Sequence, residues 1–115
     1  MRTSKKQGVM EKSSWPEPLR HPSVSGVFVG GCVDRGVGSA FPGKAHVHIH
    51  GPRAGWVCFR STRWLNCTPL ILHELAHAVT REGHTQTWRE YLQAVGGTVK
   101  EIKGILSSYE YDHDT

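Results

Sequence analysis

The chain has 115 residues, a net charge of +4 and a hydrophobic content of 37%, which together predict one small domain with a modest core. No apolar run approaches the roughly 18 residues of a membrane-spanning helix, so we expect no membrane association. The three cysteines form no CxxC pair. Their odd number argues against a disulfide framework and predicts a reducing, cytoplasmic setting in which they are small buried residues.

The start of the chain is polar and basic. Residues 1–22 contain three prolines and no apolar stretch of the kind that signal peptides need, which predicts a flexible basic arm. We expect one domain at 23–108 and an acidic tail at 109–115.

The first half of this domain is typical of β-structure. The segment "VSGVFVGGCV" is β-prone but interrupted by glycine, and "DRGVGSAFPGK" reads as a loop. The alternating segment "AHVHIHG" predicts a strand, which the turn "GPRAG" joins to a second strand at "WVCFR".

The second half predicts three helices. The first lies within "NCTPLILHELAHAVTREG", with Thr68 as N-cap, Pro69 in the first turn and Gly83 as the left-handed stop. The second covers "TQTWREYLQAV". The third is short and lies at "TVKEIKGILSSY", where Thr98 and Glu101 match a capping box.

Two histidines on the first helix carry a metal-binding pattern. His73 and His77 are four residues apart, so both lie on one helix face and can converge on one ion. Glu74 projects about 100° away from His73, where it can accept a proton from water without ligating the ion. This is the physical content of the HExxH motif. His84 follows the helix stop, and a turn there can supply a third ligand, which leaves one coordination position open as in catalytic zinc sites.

The residues "LILHELAHAV", Gly83-His84 and Trp88 resemble the motif of SprT-like zinc metallopeptidases and their small bacterial and phage relatives. The resemblance implies an α+β, zincin-like fold: a small, mostly antiparallel sheet packed on the HExxH helix, followed by one or two further helices. It also implies one zinc ion held by His73, His77 and His84, with Glu74 as general base. The chain departs from that family at Thr85, where glycine is usual, in its shorter loop before His84, and in having no C-terminal CxxC zinc ribbon.

Other metal arrangements stay open. Metzincins need a methionine after the motif, whereas both methionines here precede it. Glu90 is a candidate third ligand of the gluzincin type, although the helical pattern places it toward solvent and Trp88 toward the core. Asp34 and Glu90 are candidate partners for the N–H groups of the ligand histidines.

A second set of histidines lies on the strand "AHVHIHG". His46, His48 and His50 alternate and therefore share one strand face. They are compatible with a rival metal site, with a plain polar face, or with a substrate-binding edge. In zincins this strand pairs with extended substrates, so we expect residues 45–49 to bind peptide and one of these histidines, or Tyr91, to stabilise the oxyanion.

We therefore predict a monomeric zinc metalloendopeptidase that acts on protein or peptide substrates. Segment 35–73 contains several basic residues and no acidic one, which is compatible with DNA association and with substrates on DNA. One alternative is a non-catalytic zinc-stabilised module that binds protein or nucleic acid. The other is a metal-free core that buries the helix histidines.

Overall fold

The computed structural model describes residues 8–41, 43–97, 99–102 and 105–108, and the side chains of 99–108 are not among the described features. These described residues form eight strands and two α-helices. In chain order these are β1 (Gly8–Val9), β2 (Gly26–Val29), β3 (Gly31–Cys32), β4 (Gly36–Val37), β5 (Ala45–Val47), β6 (Trp56–Phe59), α1 (Thr68–Thr80), α2 (Gln86–Ala94), β7 (Val99–Ile102) and β8 (Ile105–Ser108).

The main sheet has four strands in the order β1-β2-β6-β5. Strands β2 and β6 are parallel, whereas the β1–β2 and β5–β6 pairs are antiparallel. The pairs β3–β4 and β7–β8 form separate antiparallel two-stranded sheets. The α+β class and the mostly antiparallel character of the sheet are confirmed, and β5 lies at an edge of the main sheet.

The two faces of the main sheet have different neighbours. Residues alternate between faces along a strand, and Val27, Val57 and Phe59 belong to the buried cluster that includes Leu70 and Leu75 of α1. The opposite face carries a smaller buried cluster, made by Phe28, Cys32, Phe41 and Cys58. Helix α1 therefore covers one face only.

Helix α1 begins at Thr68 and ends at Thr80, with Cys67 rather than Thr68 at the N-cap position. Its first turn contains Pro69, whose missing N–H costs little there. At the other end the left-handed residue is Arg81, with φ of 58°, and its N–H donates to the carbonyl of His77 at 2.9 Å. The predicted stop at Gly83 is therefore wrong by two residues, because the chain already bends at Arg81.

Residues 8–22 pack against the domain, although the sequence predicted a flexible arm over 1–22. Strand β1 pairs with β2, and Met10, Trp15 and Leu19 are buried in the cluster beneath α1. Two short 3-10 turns, Lys12–Ser14 and Glu17–Leu19, place these side chains. The prolines of this segment therefore lie in a packed part of the chain rather than in a flexible one. Residues 1–7 and the predicted acidic tail 109–115 lie outside the described residues.

The third predicted helix is wrong. The chain there forms the hairpin β7–β8, with Ile102 paired to Ile105. The β-branched residues in these strands favour extended backbone, and the intervening Gly104 disfavours a helix interior. The capping-box pattern at Thr98 and Glu101 was outweighed by these preferences.

Among the described residues, neither helix is long and apolar enough to cross a membrane.

The buried N-terminal segment gives a stability prediction. Leu19→Ala is expected to lower the free energy of unfolding by about 2–5 kcal/mol, because it removes a fully buried side chain from the core beneath α1. Urea unfolding followed by circular dichroism measures this change. Val9→Ala, at a strand residue that is 65% exposed, is the control and should shift stability by no more than about 0.5 kcal/mol. Equal small effects would show that the segment contributes no packing energy.

Candidate metal centres

The three helix-region histidines converge on one point. The Nε2 atom of His73 lies 3.1 Å from Nε2 of His77 and 3.2 Å from Nε2 of His84. His73 and His77 are buried and His84 is half-buried. The structure thus brings together the three residues predicted as ligands, and we refer to them below as the histidine trio.

These separations match a tetrahedral metal centre. Two imidazole nitrogens at about 2.0–2.1 Å from one zinc ion, at tetrahedral angles, lie about 3.3 Å apart. The observed 3.1 and 3.2 Å are close to this value. One Nε2–H proton on His73 cannot serve two acceptors well, whereas one cation satisfies all three lone pairs, so the donor set fits a divalent metal.

A backbone carbonyl orients the second histidine. The Nδ1 atom of His77 lies 2.7 Å from the carbonyl oxygen of Glu82, so Nδ1–H donates there and the Nε2 lone pair faces the other two imidazoles. The candidate partners from the sequence were Asp34 and Glu90, whereas Nδ1 of His77 contacts the Glu82 carbonyl. Glu90 is exposed and accepts from Gln86 at 3.0 Å instead.

The turn after α1 places His84. The left-handed backbone at Arg81 reverses the chain, and the Thr80 hydroxyl accepts from the Glu82 N–H at 3.3 Å. Thr85 then caps α2, because its hydroxyl oxygen accepts from the Trp88 N–H at 3.3 Å. The same hydroxyl donates to the Glu82 carboxylate. Thr85 thus starts the second helix directly after His84.

Trp88 forms the floor of the histidine trio. Its fully buried ring lies 5.0, 5.3 and 4.6 Å, centroid to centroid, from His73, His77 and His84. Its indole N–H donates to the carbonyl of His73 at 3.3 Å. The prediction that Trp88 packs inward while Glu90 faces solvent is confirmed.

Glu74 and Tyr91 are the other predicted site residues near these helices. Glu74 is fully buried on α1 between the first two ligands in sequence. Tyr91 is half-buried on α2 and packs against two buried clusters. The catalytic role of Glu74 and the oxyanion role of Tyr91 stay predictions.

The strand histidines point away from α1. Ala45 belongs to the cluster beneath α1, so His46 and His48 project from the opposite face of β5. His50 is exposed beyond the strand end. We expected one of these side chains to lie beside the trio, but His46 and His48 lie on the other face of β5. The peptide-binding role of residues 45–49 depends on the backbone and stays a prediction.

His46 and His48 instead meet two cysteines. The Nε2 atom of His48 lies 3.5 Å from Sγ of Cys32 and 3.4 Å from Sγ of Cys58. One ligand atom from each of these three residues and from His46 lies within 4.8 Å of all the others. We call this group the Cys2His2 cluster.

Burial sets the protonation of the Cys2His2 cluster before any cation binds. It raises the pKa of the Cys58 thiol to about 12, which the N–H of Val33 facing the sulfur only partly offsets. It also lowers the pKa of His48, against the opposing effect of the Asp34 carboxylate. At neutral pH the thiol is therefore protonated and the imidazole is neutral, so a cation binding there would displace a thiol proton.

Sequence reasoning missed the two cysteines as site residues. Their signal is not local, because Cys32 lies 14 positions before His46 and Cys58 lies 10 positions after His48. The link appears only in the strand register, where His46 is the direct cross-strand partner of Cys58. The alternation of "AHVH" against "WVCF" was the available clue.

A groove of about 580 Å³ lies elsewhere, lined by Met10, Ser14, Pro16, Thr62, Arg63, Leu65 and Asn66. It contains none of the residues of either group.

Comparisons with models of known protein families, with curated proteins and with solved structures each found no match to this chain.

The trio geometry gives a metal-binding prediction. His84→Ala should remove one of three converging ligands and weaken zinc binding at the trio by more than about 100-fold. Competition with a chelator, followed by metal analysis, measures the loss of one zinc equivalent. His50→Ala is the matched control, because His50 is exposed and outside both clusters. Unchanged zinc content in His84→Ala would remove this residue from the ligand set.

Proposed function

We propose that this protein is a zinc-dependent metalloendopeptidase with a zincin-like architecture. The observation that carries the proposal is the convergence of three imidazole nitrogens, two of which lie 3.1 and 3.2 Å from Nε2 of His73. His73 and His77 lie on α1, which also buries Glu74, and His84 follows in the turn after that helix. A site that only holds a fold together has no use for a general base, and three protein ligands leave a coordination position for reaction. The HExxH spacing and the resemblance to SprT-like peptidases support the same assignment.

Zinc, when bound by the trio, supplies Lewis acidity that acidifies water and polarises a peptide carbonyl. The chain's own contribution begins with Glu74, whose carboxylate accepts a proton from the attacking water as the C–O bond forms. Glu74 then delivers that proton to the amide nitrogen as the C–N bond breaks, so one water is consumed per peptide bond. The His77–Glu82 hydrogen bond fixes a ligand tautomer, and the buried Trp88 keeps solvent away from one side of the trio.

We propose that the substrate binds along β5. This strand lies at the edge of the main sheet and contacts α1, so a peptide paired with it would run beside the helix that carries Glu74. Backbone pairing tolerates many side chains, which favours an unfolded or extended substrate. Tyr91 is our candidate for a second group at the carbonyl oxygen, since it lies on α2 beside the helix of the trio.

We also propose that the protein associates with DNA. Arg35, Arg53, Arg60 and Arg63 are exposed within a segment that has no acidic residue. Arg63 also lies over the ring of Trp64, at 4.8 Å from its centroid, and Lys44 lies over the same ring at 5.0 Å. An indole flanked by cations suits a polyanion or an unstacked base.

The central test concerns the proposed base. Glu74→Gln should retain zinc and fold but lower the rate of peptide hydrolysis by at least about 100-fold, because the amide cannot accept the proton. Cleavage of a denatured, unstructured protein such as casein, and of the chain itself, is followed by electrophoresis and mass spectrometry with zinc-loaded protein.

The matched control for that test is Glu90→Gln. Glu90 is an exposed helical glutamate, and its replacement should leave the rate unchanged. Equal activity in wild type and Glu74→Gln would overturn the mechanism. Zinc-loaded wild type that cleaves neither substrate would favour the non-catalytic binding module, and protein without metal at the trio would favour the metal-free core.

The DNA proposal is tested by salt dependence. Wild-type protein should bind a DNA fragment with an affinity that falls steeply as salt rises, because each phosphate contact releases a counterion. Arg60→Gln combined with Arg63→Gln should weaken binding and flatten the slope by about 1–2 in log–log units, measured by fluorescence anisotropy. Arg89→Gln, which is half-buried on α2 outside this segment, is the control. A slope that the double variant leaves unchanged would assign binding to other residues.

A further inference from the structure

We propose that Cys32, His46, His48 and Cys58 form a second zinc site, closed and structural, on the sheet face opposite the histidine trio. This site is separate from the proposed catalytic centre and does not depend on it. The proposal rests on geometry, burial, the surrounding hydrogen bonds and the place of the cluster in the fold.

The separations fit a tetrahedral Cys2His2 centre. With Zn–S near 2.3 Å and Zn–N near 2.0–2.1 Å, a sulfur and a nitrogen on one ion lie about 3.5 Å apart. The Nε2 atom of His48 lies 3.5 and 3.4 Å from the two cysteine sulfurs, and the ligand atom of His46 completes a set in which all pairs lie within 4.8 Å. Two soft sulfurs with two imidazoles are a donor set that selects zinc over magnesium or calcium.

The cluster is enclosed, as structural sites are. Cys32 and Cys58 are 3% and 0% exposed, and both belong to the buried cluster with Phe28 and Phe41. The ring of Phe41 lies 4.2 Å from that of His46, centroid to centroid. Four protein donors fill a tetrahedral shell and leave no position for substrate, which separates this centre in kind from the trio.

Outer groups support the ligands. The Val33 N–H donates to Sγ of Cys58 at 3.4 Å, a contact that stabilises a thiolate. Nδ1 of His48 lies 3.5 Å from the Asp34 carboxylate, which also lies 3.5 Å from Nε of Arg53. A carboxylate behind a ligand histidine is a common outer contact in zinc sites. Asp34, which was one of two candidate outer partners for the trio, lies beside His48 instead.

The ligands come from three separate parts of the chain on this face of the sheet. Cys32 lies on β3, at the start of the β3–β4 hairpin, whereas the histidines lie on and just after β5, and Cys58 is in β6. The buried apolar cluster there is small, and small domains commonly replace missing core with a metal. Gly31 permits the tight hairpin, since a Cβ at this position would clash with the Gly36 carbonyl oxygen.

Two other states of Cys32 and Cys58 would give different experimental results. A Cys32–Cys58 disulfide would consume both thiols and exclude thiolate–metal bonds. A plain buried core would keep two free thiols and bind one metal fewer. The proposed site requires free thiols that zinc protects from reagents.

The experiment uses the full chain purified without an affinity tag, first loaded with zinc and then with cobalt(II). Wild type should bind about two equivalents of metal and show the near-ultraviolet charge-transfer absorption of cobalt–thiolate bonds. His84→Ala should lose one equivalent and keep that absorption. Cys58→Ser should lose or strongly reduce it, while Cys67→Ser should keep it, because Cys67 lies outside the cluster.

His48→Gln covers the case in which Cys58→Ser fails to fold. His48 is half-buried, and its replacement should weaken binding of the second zinc equivalent by more than about 100-fold. The cobalt–thiolate absorption should change, while the zinc of the trio remains bound. The proposal is overturned if wild type binds one equivalent without thiolate absorption, if its thiols are oxidised to a disulfide as purified, or if only Cys67→Ser removes the absorption.

Discussion

The arrangement of this domain depends on three imidazole nitrogens brought almost into contact. The chain places His73, His77 and the carboxyl group of Glu74 in its interior, and a divalent cation bound there, as we propose, would turn the crowded lone pairs of the imidazoles into ligands. The surrounding sequence brings these nitrogens together: α1 fixes two of them, Trp88 contacts all three rings, and the turn after α1 places the third.

The two faces of the main sheet have different neighbours. One face packs on α1 beneath the trio, and the other carries the Cys2His2 cluster. Strand β5 belongs to both, since Ala45 and Val47 contact the core beneath α1 while His46 and His48 face the opposite way. An ion bound by the Cys2His2 cluster would therefore hold β5 in place. Because β5 is the strand along which we propose that the substrate binds, this structural site would help to fix one side of the proposed catalytic site.

Features that depend on neighbouring residues were largely predicted from the sequence, whereas features that depend on contacts between distant residues were not. The i, i+4 spacing defines a helix face, so the first helix and its ligands follow from sequence with small errors at the ends. The Cys2His2 cluster needs a strand register and a closed hairpin, which no short window contains. The arm expected over 1–22 does not describe residues 8–22, because Met10, Trp15 and Leu19 in that segment pack beneath α1. The helix expected near 98–109 failed because β-branched residues outweighed a capping pattern.

The link between His77 and His84 has six residues, and three of them shape the bend. Thr80 and Glu82 form hydrogen bonds within the bend, Arg81 makes the reversal, and Thr85 starts the next helix immediately afterwards. Surface connections usually accept insertions and deletions, but here one added residue would rotate the third imidazole out of reach. In this chain the length of the connection therefore sets the position of the third histidine of the trio.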